Sequence, residues 1–168
     1  RINDLKRQHL LVEALGRTSS NVRLVVAGPA DSPGDIEKLK RTAEQAGVAD
    51  RLTLDIRFLP RSVYAEYING AAAVAYLPFD EDSLGYVAME AATAGKALIT
   101  TTDSGGIRSL ALSEATGWVA EPNAASLAYV MNAVFDDRMR RQAYGIAARE
   151  LWSSLKVTWP ETIERLLQ

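Results

Sequence analysis

Carboxylates, glycines and two cations carry most of the chemistry in this sequence, and they cluster in a few short stretches. The densest is Pro78-Phe79-Asp80-Glu81-Asp82-Ser83-Leu84-Gly85-Tyr86, which runs into a helical pattern containing Glu90. The first amides of a helix are unpaired and sit at the positive end of its dipole, so they suit a phosphate. Gly85 lets a ligand approach the main chain closely. The neighbouring carboxylates would repel an anion and need another partner. Ionised carboxylates only accept hydrogen bonds, which fits the hydroxyls of a sugar or a ribose. Asp82 and Glu90 are eight positions apart, roughly 12 Å along a helix at ~1.5 Å per residue. Paired glycosidase carboxyls lie about 5–9.5 Å apart, so this spacing suits an extended ligand instead. A sugar would meet one carboxylate and a ribose the other, with a diphosphate between them. Composition alone leaves a solvated acidic loop capping a helix equally open.

Two further stretches are weaker signals when taken singly. Thr100-Thr101-Thr102-Asp103-Ser104-Gly105-Gly106 could form an amide nest, since its glycines permit positive backbone angles, or a plain strand-to-helix turn. Arg1 and Lys6 lie five positions apart and bracket an expected strand exit. Exposed cations in such a place are usually solvated.

Other chemistries lack their residues. His9 is the single histidine and there is no cysteine, which leaves no set for a protein-built transition-metal site or a thiol nucleophile. His9 reads as a surface residue at a helix start. Ser83 and Ser104 have no histidine base in sequence and no Gly-x-Ser-x-Gly elbow. Trp118, Trp152 and Trp159 read as packing residues. A net charge of −2 supplies no field for tracking nucleic acid. No run approaches the ~18 apolar residues of a membrane span, and no signal peptide is visible.

The elements that must position these residues alternate short β-branched runs with helical periods. At 168 residues, 48% hydrophobic and 24% charged, the chain reads as one globular domain with a full core. Strands are expected at 22–27, 52–58, 72–77 and 97–100. Helices are expected after Lys6 and at about 62–69 and 86–94. Another begins at Ser32-Pro33-Gly34-Asp35, with Ser32 as cap, Pro33 in the first turn and Asp35 three residues after the cap. The last third reads as mostly helical, with Leu127, Val130, Met131, Val134 and Phe135 on one stripe. This order implies an α/β, Rossmann-like doubly wound parallel sheet with crossover helices and a helical C-terminal end. Ligands bind such sheets at the carboxyl ends of the strands. That rule selects the loops 28–35, 59–62, 78–85 and 101–106, which are also those of least ordinary composition.

Taken together these segments resemble the carboxy-terminal domain of family-four retaining glycosyltransferases, which have the GT-B fold. The likeness runs from Arg1 to about Trp159. It is strongest in the stretch from Pro78 through Glu90-Ala91, then in Gly95-Lys96-Ala97-Leu98-Ile99 and Asp103-Ser104-Gly105-Gly106. The family has an acidic residue, seven intervening positions, Glu, a small-residue helix, Gly and an apolar strand.

The resemblance implies a role for each matching residue. Glu90 would hold the nucleotide ribose. Asp82 stands where the family usually has Glu against the donor sugar. Leu84, Gly85, Tyr86 and Val87 match the segment whose amides approach sugar and phosphate. Arg1 and Lys6 match the basic pair that neutralises the diphosphate and helps the nucleotide leave. Gly28, the loop around Leu59-Pro60-Arg61, and the Gly105-Gly106 pair match regions near the donor. Two positions depart from the pattern: Asp82 is one methylene shorter than Glu, and Ser109 falls where many members have Glu.

The function implied is donor binding in the retaining transfer of a sugar from a nucleoside diphosphate sugar to an acceptor, in polysaccharide or surface-glycan synthesis. The chain would then be one nucleotide-sugar-binding domain of a two-domain enzyme, with the acceptor held by an absent amino-terminal domain and little turnover by this piece alone. No cofactor and no metal requirement are expected. The partners are the nucleotide sugar and the other domain, with no nucleic acid. The setting is cytoplasmic, extending to peripheral contact with the inner face of the membrane through the other domain. The departures at Asp82 and Ser109 motivate an alternative, a degenerate nucleotide-binding module kept for regulation or scaffolding. Another GT-B enzyme, such as a sugar epimerase or a phosphorylase, is the second alternative.

Overall fold

The computed structural model describes residues 1–157, 163, 164, 166 and 167. Trp159, read above as a packing residue, lies outside the described residues. Among the described residues the named elements are five strands and six α-helices: α1 Gln8–Leu15, β1 Leu24–Ala27, α2 Pro33–Gln45, β2 Leu52–Asp55, α3 Arg61–Gly70, β3 Ala73–Ala75, α4 Tyr86–Thr93, β4 Ala97–Thr101, β5 Gly117–Ala120, α5 Ala124–Asp136 and α6 Arg138–Ser154. The paired strands are all parallel: β1 with β2, and β4 between β3 and β5. This is the Rossmann-like architecture expected, with its hydrogen bonds falling into a two-stranded and a three-stranded set.

All five residues of β4 are buried, as a central strand covered on both faces requires. Side chains alternate across a strand, so Ala97 and Ile99 join one core while Leu98 joins the other. The first core also takes Val26 of β1, Leu11, Ala14 and Leu15 of α1, and Leu127, Val130, Met131 and Val134 of α5. The second takes Ala88, Ala91 and Ala92 of α4 with Ile107, Leu110 and Ala148. The small residues of α4 let it lie close to β4 and α6. Ser32 caps α2 as expected, accepting from the Asp35 amide at 3.2 Å while the Asp35 carboxylate accepts from the Ser32 amide at 2.9 Å.

Several expectations need correction. β5 lies inside the third read as mostly helical, because Thr116-Gly117-Trp118-Val119-Ala120 is too short to register as a strand beside two long helices. A Cβ on Gly117 would overlap the Leu98 carbonyl oxygen, so glycine is what permits this pairing. The strand expected over 52–58 ends at Asp55, where Arg57 turns back to pair with the Asp55 carboxylate at 2.7 Å. Phe135 is 44% exposed although it shares the α5 stripe. His9 is half-buried rather than on the surface, and burial lowers its pKa, with Lys38 adding to the effect. Between Arg1 and Lys6, Ile2 pairs with Ala30 in an isolated parallel bridge and the chain leaves it into the 3-10 turn Asp4–Lys6, so the expected exit comes from a single bridged residue. Trp118 packs as expected, 4.7 Å from the Tyr144 ring, and Trp152 lies against the second core.

Candidate functional site

The carboxyl ends of the strands bring the selected loops together. The chain leaving β3 runs between the amino-terminal turn and the chain leaving β4. The Phe79 amide donates to the Leu5 carbonyl at 2.9 Å, the Asp80 amide to the Asp103 carbonyl at 2.9 Å, and the Gly106 amide to the Glu81 carbonyl at 2.7 Å. Glu81 and Gly105 form an isolated parallel bridge. A Cβ on Gly105 would overlap the Glu81 carbonyl oxygen, and one on Gly106 the Asp82 carbonyl oxygen. The glycine pair therefore allows two main chains to touch, a use distinct from the amide nest considered above.

At the end of this loop Gly85 precedes α4 with φ of 72°, and no side chain caps the helix. The helices α2, α5 and α6 have side-chain caps, from Ser32, Asn123 and Asp137, whereas α1 and α3, like α4, have none. The start of α4 thus presents amides open to an anion. A Cβ on Gly85 would overlap the Tyr76 ring and stand 3.0 Å from its hydroxyl.

That hydroxyl leads to the cation of the site. Lys6 Nζ donates to Tyr76 Oη at 2.7 Å and also to Glu81 Oε2. Tyr76 Oη donates to the same carboxylate oxygen at 2.9 Å, and Ser83 Oγ donates to Glu81 Oε1 at 2.9 Å. Burial works against the Lys6 ammonium, but the hydrogen bonds with Glu81 and Tyr76 outweigh it and hold its pKa above the ordinary lysine value. Burial likewise opposes the Glu81 charge, and bonds from Lys6, Tyr76 and Ser83 still hold its pKa below the usual carboxylate value. Arg1 is mostly exposed and pairs with Asp31, on the loop after β1, at 3.0 Å. Asn3 Nδ2 donates to the other Asp31 oxygen at 2.7 Å. Both expected diphosphate cations thus have a carboxylate partner. Asp82 is exposed, and no side-chain hydrogen bond to it occurs among the described residues.

Arg7 stands beside Lys6 and ties three segments together. Its Nε donates to the Leu77 carbonyl at 2.9 Å, and its two terminal nitrogens grip both Asp103 oxygens at 2.7 and 2.8 Å. One of them also reaches the Pro78 carbonyl at 3.0 Å and Thr101 Oγ1 at 2.8 Å. The Asp103 pKa is held low, first by Arg7 and then by the Thr101 hydroxyl against the opposing effect of burial.

Glu90 lies half-buried on the second turn of α4. Tyr64 of α3 is its neighbour: burial first, then the nearby charge of Glu90, push the phenol pKa well up. Leu84 is half-buried against the second core. Val87 and Leu59 are half-buried, Gly28 is buried where β1 ends, and Tyr86 is 82% exposed. Lys6, Glu81, Asp82, Gly85, Gly105 and Gly106 therefore belong to one connected cluster. Arg1 joins its edge through the loop after β1, and Glu90 continues it along α4. Ser109 is exposed in the 3-10 turn Gly106–Ser109. Among the described residues no group of three His, Asp or Glu side chains could hold a metal ion, and no helix is long and apolar enough to cross a membrane.

Sequence reasoning missed Arg7, Glu81 as the partner of Lys6, Tyr76 and Tyr64. Glu81 stood in the acidic stretch, but nothing in the sequence marks it as the partner of Lys6. Tyr76 lies in the run 72–77 expected as a strand, where nothing local marks its hydroxyl for the site. Arg7 has φ of 52°, a conformation with no signature in a Lys-Arg pair.

Residues 1–151 match the family of glycosyl transferases group 1. The chain belongs to this family. The D-inositol 3-phosphate glycosyltransferase of Xylanimonas cellulosilytica is 31% identical over 169 residues, which cover 99% of this chain and 39% of that protein. The protein of the same name from Thermomonospora curvata is 28% identical over 163 residues, covering 96% of this chain and 34% of its own length. The chain thus spans less than two fifths of the length of these relatives. Among solved structures, Anabaena HepE in complex with UDP and glucose superposes with a TM-score of 0.88 at 22% identity, over 99% of this chain and 46% of that one. The C-terminal domain of LpcC from Francisella tularensis, a glycosyl transferase group 1 family protein, gives 0.81 at 20% identity, over 94% of this chain and 84% of that one. The fold and family expected from the sequence are those found.

Proposed function

We propose that this domain binds a nucleoside diphosphate sugar and serves as the donor half of a retaining sugar transfer. The observation that carries this reading is the chain of contacts from Lys6 Nζ through the Tyr76 hydroxyl to Gly85. It sets a cation beside the uncapped start of α4, where an anionic group gains from both. The diphosphate lies there, with Lys6 and Arg1 stabilising the charge that grows on it as the sugar departs. Glu90 takes the ribose hydroxyls, and Asp82, exposed and with no side-chain hydrogen bond among the described residues, takes the sugar. Leu84, Tyr86 and Val87 contribute main-chain contacts along the same helix start, and Gly28, Leu59, Gly105 and Gly106 line the surrounding loops. The acceptor approaches the face of the sugar from which the phosphate leaves, which gives retention, and it is held by a second domain. The relatives named for sugar transfer and the HepE complex with UDP and glucose agree with this reading. A role in polysaccharide or surface-glycan synthesis fits the same chemistry.

Ligand-detected NMR against a panel of nucleotide sugars tests the proposal. Glu90→Ala should weaken the binding nucleotide by about tenfold or more, the worth of charge-assisted hydrogen bonds at ~1.5–3 kcal/mol, with the fold intact. Unchanged affinity would remove Glu90 from the ribose. A second reading, a regulatory module without transfer, is motivated by Asp82, Ser109 and the occupied Lys6 and Arg1. Absence of binding by every nucleotide in the panel would favour it.

A further inference from the structure

Arg7 is less exposed than Lys6 or Arg1 and is turned into the protein rather than toward a ligand. Its side chain is 11% exposed, and its guanidinium is spent on Leu77, Pro78, Thr101 and Asp103. A buried charge is retained only when paired and fully hydrogen-bonded, and here the bonds tie the turn that carries Lys6 and Arg7 to two other segments. They are the chain leaving β3, at Leu77 and Pro78, and the end of β4 with the chain leaving it, at Thr101 and Asp103. The fork binds Asp103 through two parallel bonds, a geometry that fixes orientation as well as distance. The Phe79 ring lies over the guanidinium at 5.5 Å. Backbone conformation points the same way. Arg7 has φ of 52°, caps the 3-10 turn and starts α1, so a non-glycine residue is held in a left-handed conformation that is unfavourable for its kind. The clamp offsets that cost.

We propose that Arg7 is a positioning residue of the site, fixing the turn Asp4–Lys6 so that the Lys6 ammonium meets Tyr76 and Glu81 at the head of α4. This rests on the reading of Lys6 as a diphosphate-binding cation, but the clamp itself does not touch the donor. Adjacent residues share a peptide plane, so whatever fixes the Arg7 main chain also limits where Lys6 can stand. Lys6 by itself is a flexible stem with a point charge, whereas the arginine fork is planar and rigid. The two residues divide the work: Arg7 holds the turn and Lys6 meets the anion. Asp103 belongs to the same device, because its carboxylate joins the chain after β4 to the turn.

Arg7→Gly is the informative substitution, since glycine keeps the left-handed backbone without strain and deletes only the clamp. In the full chain, the Lys6 side-chain signal followed by NMR through alkaline titration should report a raised pKa in the wild type. In Arg7→Gly it should fall toward the free lysine value. Inorganic pyrophosphate is the second probe. Lys6→Ala and Arg7→Gly should each weaken it by about tenfold or more, the worth of one charge-assisted hydrogen bond. The double variant should lose no more than the worse single one. A residue that served stability alone would lower the melting temperature but leave the Lys6 titration and the pyrophosphate affinity of the folded protein unchanged, and that result overturns the proposal. Full additivity with Lys6→Ala overturns it too. Should Arg7→Gly not fold, Arg7→Lys and Asp103→Asn loosen the clamp from either side, and an unaltered Lys6 titration in both is equally fatal. If wild type binds neither pyrophosphate nor any nucleotide, the diphosphate reading fails while the Lys6 titration still decides the role of Arg7.

Discussion

Replacing Gly106 by alanine puts a methyl group where two main chains already touch. A Cβ there overlaps the Asp82 carbonyl oxygen and stands 2.7 Å from its carbonyl carbon and 2.9 Å from the Ser83 carbonyl oxygen. All three atoms are main chain, so no side chain can rotate out of the way and the loops must part. Overpacking of this kind costs ~1–3 kcal/mol. Parting the loops also stretches the 2.7 Å bond from the Gly106 amide to the Glu81 carbonyl, a further ~0.5–1.5 kcal/mol. The sum is about 2–4 kcal/mol, and at ~2–4 °C per kcal/mol for a chain of this size the melting temperature should fall by roughly 5–15 °C. Gly145→Ala supplies the matched control. Its Cβ would overlap the Gly95 carbonyl oxygen, again main chain, but at the far end of α4. Alanine in the middle of α6 regains ~0.5–1 kcal/mol of helix preference, so that variant should be the milder. Thermal unfolding by circular dichroism gives the first readout, and calorimetric nucleotide titration at a temperature where both variants are folded gives the second. Gly106→Ala displaces Glu81 and Asp82 and should lower affinity, whereas Gly145→Ala should leave it unchanged. A Gly106→Ala melting temperature within about 2 °C of wild type refutes the steric argument, and equal affinity losses in the two variants refute the placement of the site.

The remaining predictions concern charge and capping. Asp103 has a pKa depressed below 3.8, chiefly by Arg7. Its contribution to stability is present above the unfolded value and is lost as pH falls from about 4 through the lower folded value. Urea midpoints measured downward from pH 6 should therefore show a wild-type advantage over Asp103→Asn that shrinks below about pH 4. A constant gap between the two would mean that the carboxylate charge does not stabilise the fold. Ser32→Ala removes one half of the α2 capping box and should cost ~0.5–2 kcal/mol, visible as a lower melting temperature with unchanged nucleotide affinity.

The sequence carried the order of elements because each has a local cause. The Ser32-Pro33-Asp35 cap starts α2, the small residues of α4 bury it against β4, and the uniform burial of β4 reads as an apolar run. β5 escaped notice for the opposite reason, since four residues opening on a glycine acquire strand character only from pairing with β4. The same division holds in the site. Residue type, spacing and family likeness single out Gly85, Glu90, Asp82 and Lys6 as candidates. Their partners depend on contacts across about 70 to 96 positions of chain, Lys6 with Tyr76 and Glu81 and Arg7 with Asp103, and no local pattern records those. The Gly105-Gly106 pair was visible as unusual, but whether glycines serve a ligand or a neighbouring main chain is a question of tertiary approach.

Calorimetric titration of this chain with UDP, GDP and ADP and their nucleosides tests the central claim most directly. At least one diphosphate should bind more tightly than its nucleoside, and Lys6→Ala should remove the difference while leaving the nucleoside unaffected. No binding by any diphosphate, or an equal loss for diphosphate and nucleoside in Lys6→Ala, would contradict it.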